Sequence, residues 1–339
     1  MTHRISGQSQ RRQISPKPSV ASITVAYNGE AFLGNHLDSL LGQSRPLDEV
    51  IVVNNASADG TLPLLSQRYP QVTVLNLPTN LGVGGGYAAG LESALKNKRC
   101  DWVWLFDQDS IPKEDALERL LDAVEVLGDK GSEIGIAAPL SLHSKTQRHY
   151  RGLLWRNGWR RMPESPKEDV AFVDAVISSG SLIRRAALEQ AGLPRADFFI
   201  DYIDLEHCLR IRRSGFKIAI VRHSVLEHAL GDPKIVKLPG FTRVWADHVP
   251  CREYYKARNE VFTIWTLYPN WQAKLSVARR FARHALGIIL FGKEKLACLK
   301  MMYLGIVDAR AGRLGIRTFE DRRIDDPHTP KPTPESSHA

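Results

Sequence analysis

The chain has 339 residues, 43% hydrophobic and 24% charged, a formal net charge of +9 and four cysteines, which fits one large α/β domain with appendages, or two domains. Cys100, Cys208, Cys251 and Cys298 include no Cys-x-x-Cys pair, which argues against a zinc site or disulfide framework and fits a reducing compartment. No apolar run approaches the roughly 18–20 residues of a membrane span, and the polar, basic residues 1–19 contain no signal-peptide core.

Charge is unevenly placed. Residues 1–19 carry +4, residues 272–317 carry +8 and residues 318–339 carry −2, which leaves residues 20–271 near neutral at −1. A nucleic-acid enzyme would show a basic working face within its core, so nucleic acid is not an expected partner. Anionic lipid head groups explain a basic terminal region at least as well.

Residues 1–19 read as a disordered basic arm. Val20-Ala21-Ser22-Ile23-Thr24-Val25-Ala26-Tyr27 predicts a first strand stopping at Asn28-Gly29, then a helix with Phe32, Leu33, His36, Leu37, Leu40 and Leu41 at helical spacing. Glu49-Val50-Ile51-Val52-Val53 predicts a second strand, ending at Asn54-Asn55. Its helix carries Leu62, Leu64, Leu65 and Tyr69, and Val72-Thr73-Val74-Leu75-Asn76 a third strand. Strand–helix alternation at this spacing predicts a mostly parallel sheet flanked by helices. Asp59 reads best as a turn residue.

Gly84-Gly85-Gly86-Tyr87-Ala88-Ala89 matches the G-x-G-x-x-A dinucleotide fingerprint. It follows the third strand rather than the first, the linker before it is too long for the tight turn, and the downstream acids form a pair. These counts make a nicotinamide oxidoreductase the weaker reading. The glycines otherwise serve close approach of backbone to a ligand or a helix neighbour.

The chain is organised around Trp102-Val103-Trp104-Leu105-Phe106-Asp107-Gln108-Asp109-Ser110. The apolar run predicts a strand buried on both faces, ending in two carboxylates. In extended backbone residues i and i+2 point the same way, so Asp107 and Asp109 can converge on one cation shared with phosphate oxygens. The alternative is that both cap a helix beginning at Pro112-Lys113-Glu114-Asp115. Asn28 and Asn54 at neighbouring strand ends favour a nucleotide-sized cleft.

Ile134-Gly135-Ile136-Ala137-Ala138-Pro139 predicts a further strand, residues 141–169 a loop or hairpin, and residues 172–183 two short strands. Ser178 to Ser181, including Ser179 and Gly180, either floor an acceptor pocket or serve tight packing. A second acidic cluster, Asp201-Tyr202-Ile203-Asp204-Leu205-Glu206, opens a helix whose dipole suits acids. Asp204 shares a helical face with Cys208. Partial desolvation there would raise its pKa towards that of a useful base. A strand over residues 215–221 precedes His228.

Together these pieces resemble the family 2 glycosyltransferases, with a nucleotide-diphospho-sugar-binding (GT-A-type) fold. Matching stretches are Thr24-Val25-Ala26-Tyr27-Asn28, Val53-Asn54-Asn55-Ala56-Ser57-Ala58-Asp59-Gly60-Thr61, Asn80-Leu81-Gly82, Asp107-Gln108-Asp109-Ser110, residues 198–210, His228-Ala229-Leu230-Gly231 and Tyr254-Tyr255-Lys256-Ala257-Arg258-Asn259, spread over about residues 20–315. The Asp-Gln-Asp-Ser form is similar to the rhamnosyltransferase branch.

The resemblance implies Asp109, Asp107 and His228 around a divalent metal (Mg2+ or Mn2+). It further implies Ala26, Tyr27, Asn28, Asn54, Asn80, Gly82, Asp107 and Gln108 on the nucleotide-sugar donor, and Asp204 as general base with Glu206 in support. Ser179, Gly180, Asp201, His228 and Arg258 fall on the acceptor or diphosphate side. Ile203 stands where relatives carry a Glu, and Asn54 where an Asp is common.

The implied organisation is a catalytic domain over residues 20–265, with a donor-nucleotide half (20–111) and an acceptor half (112–265). A basic amphipathic helical extension (266–317) and a disordered tail (318–339) follow. That extension faces either an anionic membrane or the catalytic domain and partner subunits. The implied activity is inverting transfer of L-rhamnose from dTDP-L-rhamnose to a glycan or polyprenyl-diphosphate-linked glycan, in the cytoplasm at the inner face of the membrane. The alternatives are a galactofuranosyl or other UDP-sugar transferase, a non-catalytic scaffold of the same fold, and the nicotinamide enzyme.

Overall fold

The computed structural model describes residues 17–319, apart from 128, 144–148, 164–167, 229–233, 239–240 and 246–247. Strand β1 (Val20–Ala26) is buried along its whole length; Ala21, Ile23 and Val25 feed one core layer, Val20 and Ala26 the opposite one. Then come α1 (Glu30–Leu41), β2 (Glu49–Asn54), α2 (Thr61–Arg68), β3 (Thr73–Asn76), α3 (Gly82–Lys96) and β4 (Trp102–Asp107). α1 turns Leu33, His36, Leu37 and Leu40 inward. β1 pairs in parallel with β2 and β4, and β2 with β3, so these strands end on one common rim.

The chain continues through β5 (Ser110–Pro112), α4 (Ala116–Val126), a single turn α5 (Asp129–Ser132), β6 (Ile134–His143), the hairpin β7 (Leu153–Trp155) and β8 (Trp159–Arg161), β9 (Val170–Val173), β10 (Leu182–Arg184) and α6 (Arg185–Ala191). A 3-10 turn (Ala196–Phe198) precedes α7 (Ile203–Arg213) and the long β11 (Lys217–His228). A hairpin of β12 (Lys234–Leu238) and β13 (Phe241–Trp245) leads to three helices, α8 (Pro250–Leu267), α9 (Trp271–Phe291) and α10 (Lys295–Arg310). Among the described residues one sheet has the order β3-β2-β1-β4-β10-β6-β11-β5, with β9 also beside β11. β10 runs antiparallel to both β4 and β6, so the sheet is parallel in its first half and mixed beyond.

The helix expected from Pro112 starts four residues later, at Ala116, with Asp115 before it. Ser110 to Pro112 are instead drawn into an antiparallel ladder with β11, at the sheet edge, where a proline costs no central hydrogen bond. Asp107 and Asp109 are therefore not caps of that helix. The terminal helices share a core of Val261, Ile264, Val277, Phe281 and Met302, which takes in Leu209 of α7 and the flanks of Trp155 and Trp159. The arm over 1–16 and the tail from 320 lie outside the described residues.

Candidate active site

β4 stops at Asp107, and Gln108 and Asp109 make a turn into β5. The two carboxylates are thus brought together by this turn and by β11, rather than by continuous extended backbone as the sequence suggested. The β5–β11 register places Ser110 opposite His228, and Ser110 Oγ lies 2.8 Å from His228 Nδ1. His228 Nδ1 is 3.2 Å from Asp109 Oδ1, and its Nε2 is 3.6 Å from Asp107 Oδ2. Burial pulls the imidazole pKa down, but the hydrogen bond to Asp109 and the charges of Asp107 and Asp109 outweigh it, so His228 is held above its ordinary value. The Asp109 side chain is buried, while the Asp107 side chain keeps 36% of its surface exposed.

Three residues that sequence reasoning passed over complete this corner. Tyr87, buried in α3, donates its hydroxyl to Asp107 Oδ1 at 2.9 Å. Burial, then Asp107, then Asp204 and Asp109 drive its pKa well up, so the phenol stays a donor. Ser110 Oγ also meets Ser179 Oγ at 2.6 Å. His36 stands behind them: burial lowers its pKa to about 4, so the ring is neutral. Its Nδ1 donates to Ser110 O, which leaves Nε2 to accept from Thr24 Oγ1 at 2.8 Å. The sequence did carry one signal for Tyr87, its place in the glycine-rich helix leading to the acidic strand.

The residues expected on the donor build the rim itself. Gln108 clamps the Tyr27 backbone, accepting from its N–H at 2.8 Å and donating to its carbonyl at 3.2 Å. Asn28 has φ 48° and accepts from the Ala58 N–H. Asn54 is buried, donating to Asn76 Oδ1 and accepting from the Ser57 N–H, so its amide ties the ends of β2 and β3 together. Ala26 is buried and receives the Asn55 N–H on its carbonyl. Asn80 accepts from the Gly82 N–H and from Asn55.

Gly82, at φ 70°, and Gly84 leave no room for a side chain against the backbone of Phe199 and Arg195, and Gly86 and Gly90 lie on Val25 and Ile23. The glycines serve close packing of α3, which removes the dinucleotide reading of this stretch.

Asp204 sits half-buried in the first turn of α7. Burial pushes its carboxyl up to about 7. Asp201 and Asp107 add to the rise and the Leu205 N–H, 2.8 Å from Oδ1, opposes it. The segment before it holds three non-glycine residues at positive φ, Phe199 (65°), Asp201 (62°) and Tyr202 (66°), a conformation that persists only when its surroundings impose it. Asn259 imposes it, donating to the carbonyls of Phe198, Ile200 and Asp201 at 2.8–3.0 Å. Arg252 grips Asp201 with two bonds of 2.7 and 3.0 Å, and Trp159 Nε1 donates to Tyr202 Oη at 2.6 Å. Burial would raise the Asp201 pKa, yet Arg252 reverses this and holds it below the usual carboxylate range.

Several expected roles change. Arg258 is fully buried and donates to the carbonyls of Asp197, Phe198 and Gly315 and to Asn259, so it braces this loop. Glu206 is buried and pairs with Arg210, which also holds the carbonyls of Ala191 to Leu193. Through this pair it ties α7, two residues after Asp204, to the end of α6. Asp201, committed to Arg252, acts on Asp204 through its charge. Ser179 and Gly180 serve tight packing: Ser179 Oγ accepts from the Asp107 N–H, and Gly180, at φ 82°, accepts from Trp104 Nε1 at 2.8 Å.

The donor set suits a hard divalent cation in part. Asp107 and Asp109 supply carboxylate oxygens, but among the described residues no group of three or more His, Cys, Asp or Glu is arranged to hold an ion. His228 backs the carboxylates. An ion held there would take its remaining ligands from phosphate oxygens and water, as magnesium-type sites allow.

A parallel strand rim with an acidic turn, and a half-buried carboxylate on a separate helix whose charge is felt there, form an arrangement suited to a nucleotide-sugar transferase. Residues 22–191, half of the chain, match the family described as Glycosyl transferase family 2, and the chain belongs to it. It is a glycosyltransferase. It is 25% identical over 300 residues to the dTDP-rhamnosyl transferase RfbF of Shigella flexneri, covering 88% of this chain and 97% of that one. It is 27% identical over 253 residues to the galactofuranosyltransferase GlfT1 of Mycobacterium tuberculosis, covering 73% and 82%. Among solved structures, Staphylococcus aureus TarS 1-349 with UDP superposes with a TM-score of 0.53 at 18% identity over 87% of this chain and 88% of that one. GalNAc-T7 with UDP, GalNAc and Mn2+ gives 0.57 at 17% identity over 78% of this chain and half of that one. At these identities the superpositions establish the GT-A-type fold.

Proposed function

We propose that the protein is an inverting, metal-dependent transferase that moves L-rhamnose from dTDP-L-rhamnose to a hydroxyl of a glycan or polyprenyl-diphosphate-linked glycan. The observation that carries the reading is the pairing of an acidic donor corner, Asp107 and Asp109, with a separate carboxylate, Asp204, whose pKa lies near 7. Residues 20–111 form the donor-nucleotide half, with Tyr27, Asn28, Asn54, Asn80 and Gly82 shaping the floor under the nucleotide. Residues 112–265 form the acceptor half, and the basic helices from 266 meet an anionic membrane at its cytoplasmic face.

A divalent ion, Mg2+ or Mn2+, held by Asp107 and Asp109 would neutralise the nucleoside diphosphate leaving group. His228 and Tyr87 hold these carboxylates in place by hydrogen bonds to the atoms reported above. Asp204 takes the proton from the acceptor hydroxyl as it attacks the anomeric carbon, which general-base help accelerates by about 10²–10⁴-fold. A single displacement inverts that carbon. Similarity to RfbF supports the rhamnosyl donor; similarity to GlfT1 supports the second reading, UDP-galactofuranose.

The test is titration calorimetry of dTDP-rhamnose, UDP-galactofuranose and UDP-glucose with and without Mg2+ or Mn2+, followed by transfer assays. Metal-dependent binding confined to dTDP-rhamnose is expected. Binding confined to a UDP-sugar would replace the donor assignment. Metal-independent binding, or none, would remove the mechanism.

A further inference from the structure

Among the described residues the C-terminal helices leave one face uncovered, and it is not uniform. On α9 the residues at helical spacing Leu275, Arg279, Arg283, Leu286 and Leu290 all face outward. The apolar ones concentrate where α9 meets α10: Leu286 is 53% exposed, Ile289 49%, Leu290 56% and Leu296, in the first turn of α10, 84%. Lys293, Lys295 and Lys300 are exposed around the same corner, against the single acid Glu294. The opposite faces of both helices are committed: Ile288 and Cys298 pack together with Phe291 and Leu299, and His284 Nε2 lies 2.7 Å from Glu253 of α8. The corner is therefore a fixed wedge.

We propose that the α9–α10 corner inserts into an anionic lipid bilayer, with Leu286, Ile289, Leu290 and Leu296 entering the acyl boundary and Lys293 and Lys295 on the head groups. Exposed leucines ringed by lysines match both layers of such a surface. A symmetric contact with a second copy would set these lysines against themselves, which argues for lipid as the occupant. Among the described residues no helix is long and apolar enough to cross a membrane, so the contact is one of partial insertion. α9, with 21 residues, is about 32 Å long, enough to span several head groups. The proposal deepens the reading of a lipid-linked acceptor, but its test needs no transfer, so either can fail alone.

Flotation of the full chain with phosphatidylcholine vesicles, with and without about one-third phosphatidylglycerol, is the measurement. Binding to the anionic vesicles only, lost at about 0.5 M salt, is expected, each lysine contributing about fivefold. Leu286→Glu with Leu290→Glu should lower partitioning by tenfold or more, and Lys293→Glu with Lys295→Glu likewise, while donor affinity and circular dichroism stay at wild-type values. Should the leucine pair fail to fold, Leu290→Cys carrying an environment-sensitive fluorophore reports insertion by a blue shift on vesicle addition, the native cysteines being buried. Failure of the wild type to float, unchanged flotation of both variant pairs, an absent blue shift, or concentration-dependent dimerisation lost in the leucine variant would each overturn the proposal.

Discussion

As the proposed base, Asp204 must be ionised to accept a proton, so its raised pKa would set a lower pH limit on the reaction. With the carboxyl at about 7, kcat/KM should fall about tenfold per unit below pH 7. Asp204→Asn should lose about 10²–10⁴-fold in transfer while donor binding survives; near-normal turnover in that variant would dismiss it as the base. The same shift has a stability consequence of defined sign. The unfolded chain ionises this group near 3.8 and the folded chain near 7, so the folded state is penalised increasingly from about pH 4 upward and in full above 7. Metal-free Asp204→Asn should therefore gain thermal stability relative to wild type at pH 8 and show little gain at pH 4, a comparison that differential scanning calorimetry can make directly. Tyr87→Phe removes a charge-assisted bond to Asp107, and metal-dependent donor affinity should drop about tenfold, or about 1.4 kcal/mol. Unchanged affinity would make Tyr87 a packing residue only.

At the scale of elements, the strand ends were legible because buried parallel strands read as short apolar runs closed by polar residues. β1, β2 and β4 all follow that rule. The turn Asp107 to Ser110 and the start of α4 were not legible, because what decides them is pairing with β11, over a hundred residues away. Arg258 and Asn259 illustrate the same limit: the sequence showed only a polar pair following Tyr254 and Tyr255, and tertiary contacts reveal that both brace the loop before Asp204. That loop supplies a prediction. Asn259→Asp keeps the shape but replaces two N–H donors, shared among three carbonyls, with repulsion between a carboxylate and those carbonyls. kcat should fall far more than donor KM changes, because the donor corner lies on other elements. An equal loss in both would mean a general loosening of the fold. Trp159→Phe, which removes the bond to Tyr202 and trims the packing on Trp155, should produce a milder fall in kcat with a modest loss of stability.

On the scale of the whole molecule, the proposed mechanism requires the Asp107–Asp109 corner and Asp204 to be registered against each other, although they lie far apart in the chain. The contact that registers them is at the N-terminus of α3. There Gly82 lies against the carbonyl and ring of Phe199, and the Gly84 N–H donates to Phe199 O at 3.2 Å. Gly82 has φ 70°, so Gly82→Ala adds backbone strain to a methyl group with nowhere to go, and a loss of about 2–4 kcal/mol is expected. More informative is where the damage falls. The methyl must push either α3, which carries Tyr87, or the Phe199 segment, which carries the base. The Phe199 segment already holds three residues in sparsely populated conformations, so it is the side with less resistance. Gly82→Ala should therefore reduce kcat while metal-dependent donor affinity, measured calorimetrically below the unfolding temperature, stays within about threefold of wild type. Loss of donor affinity with kcat preserved would show that α3 yields instead, and that the left-handed segment is the rigid partner.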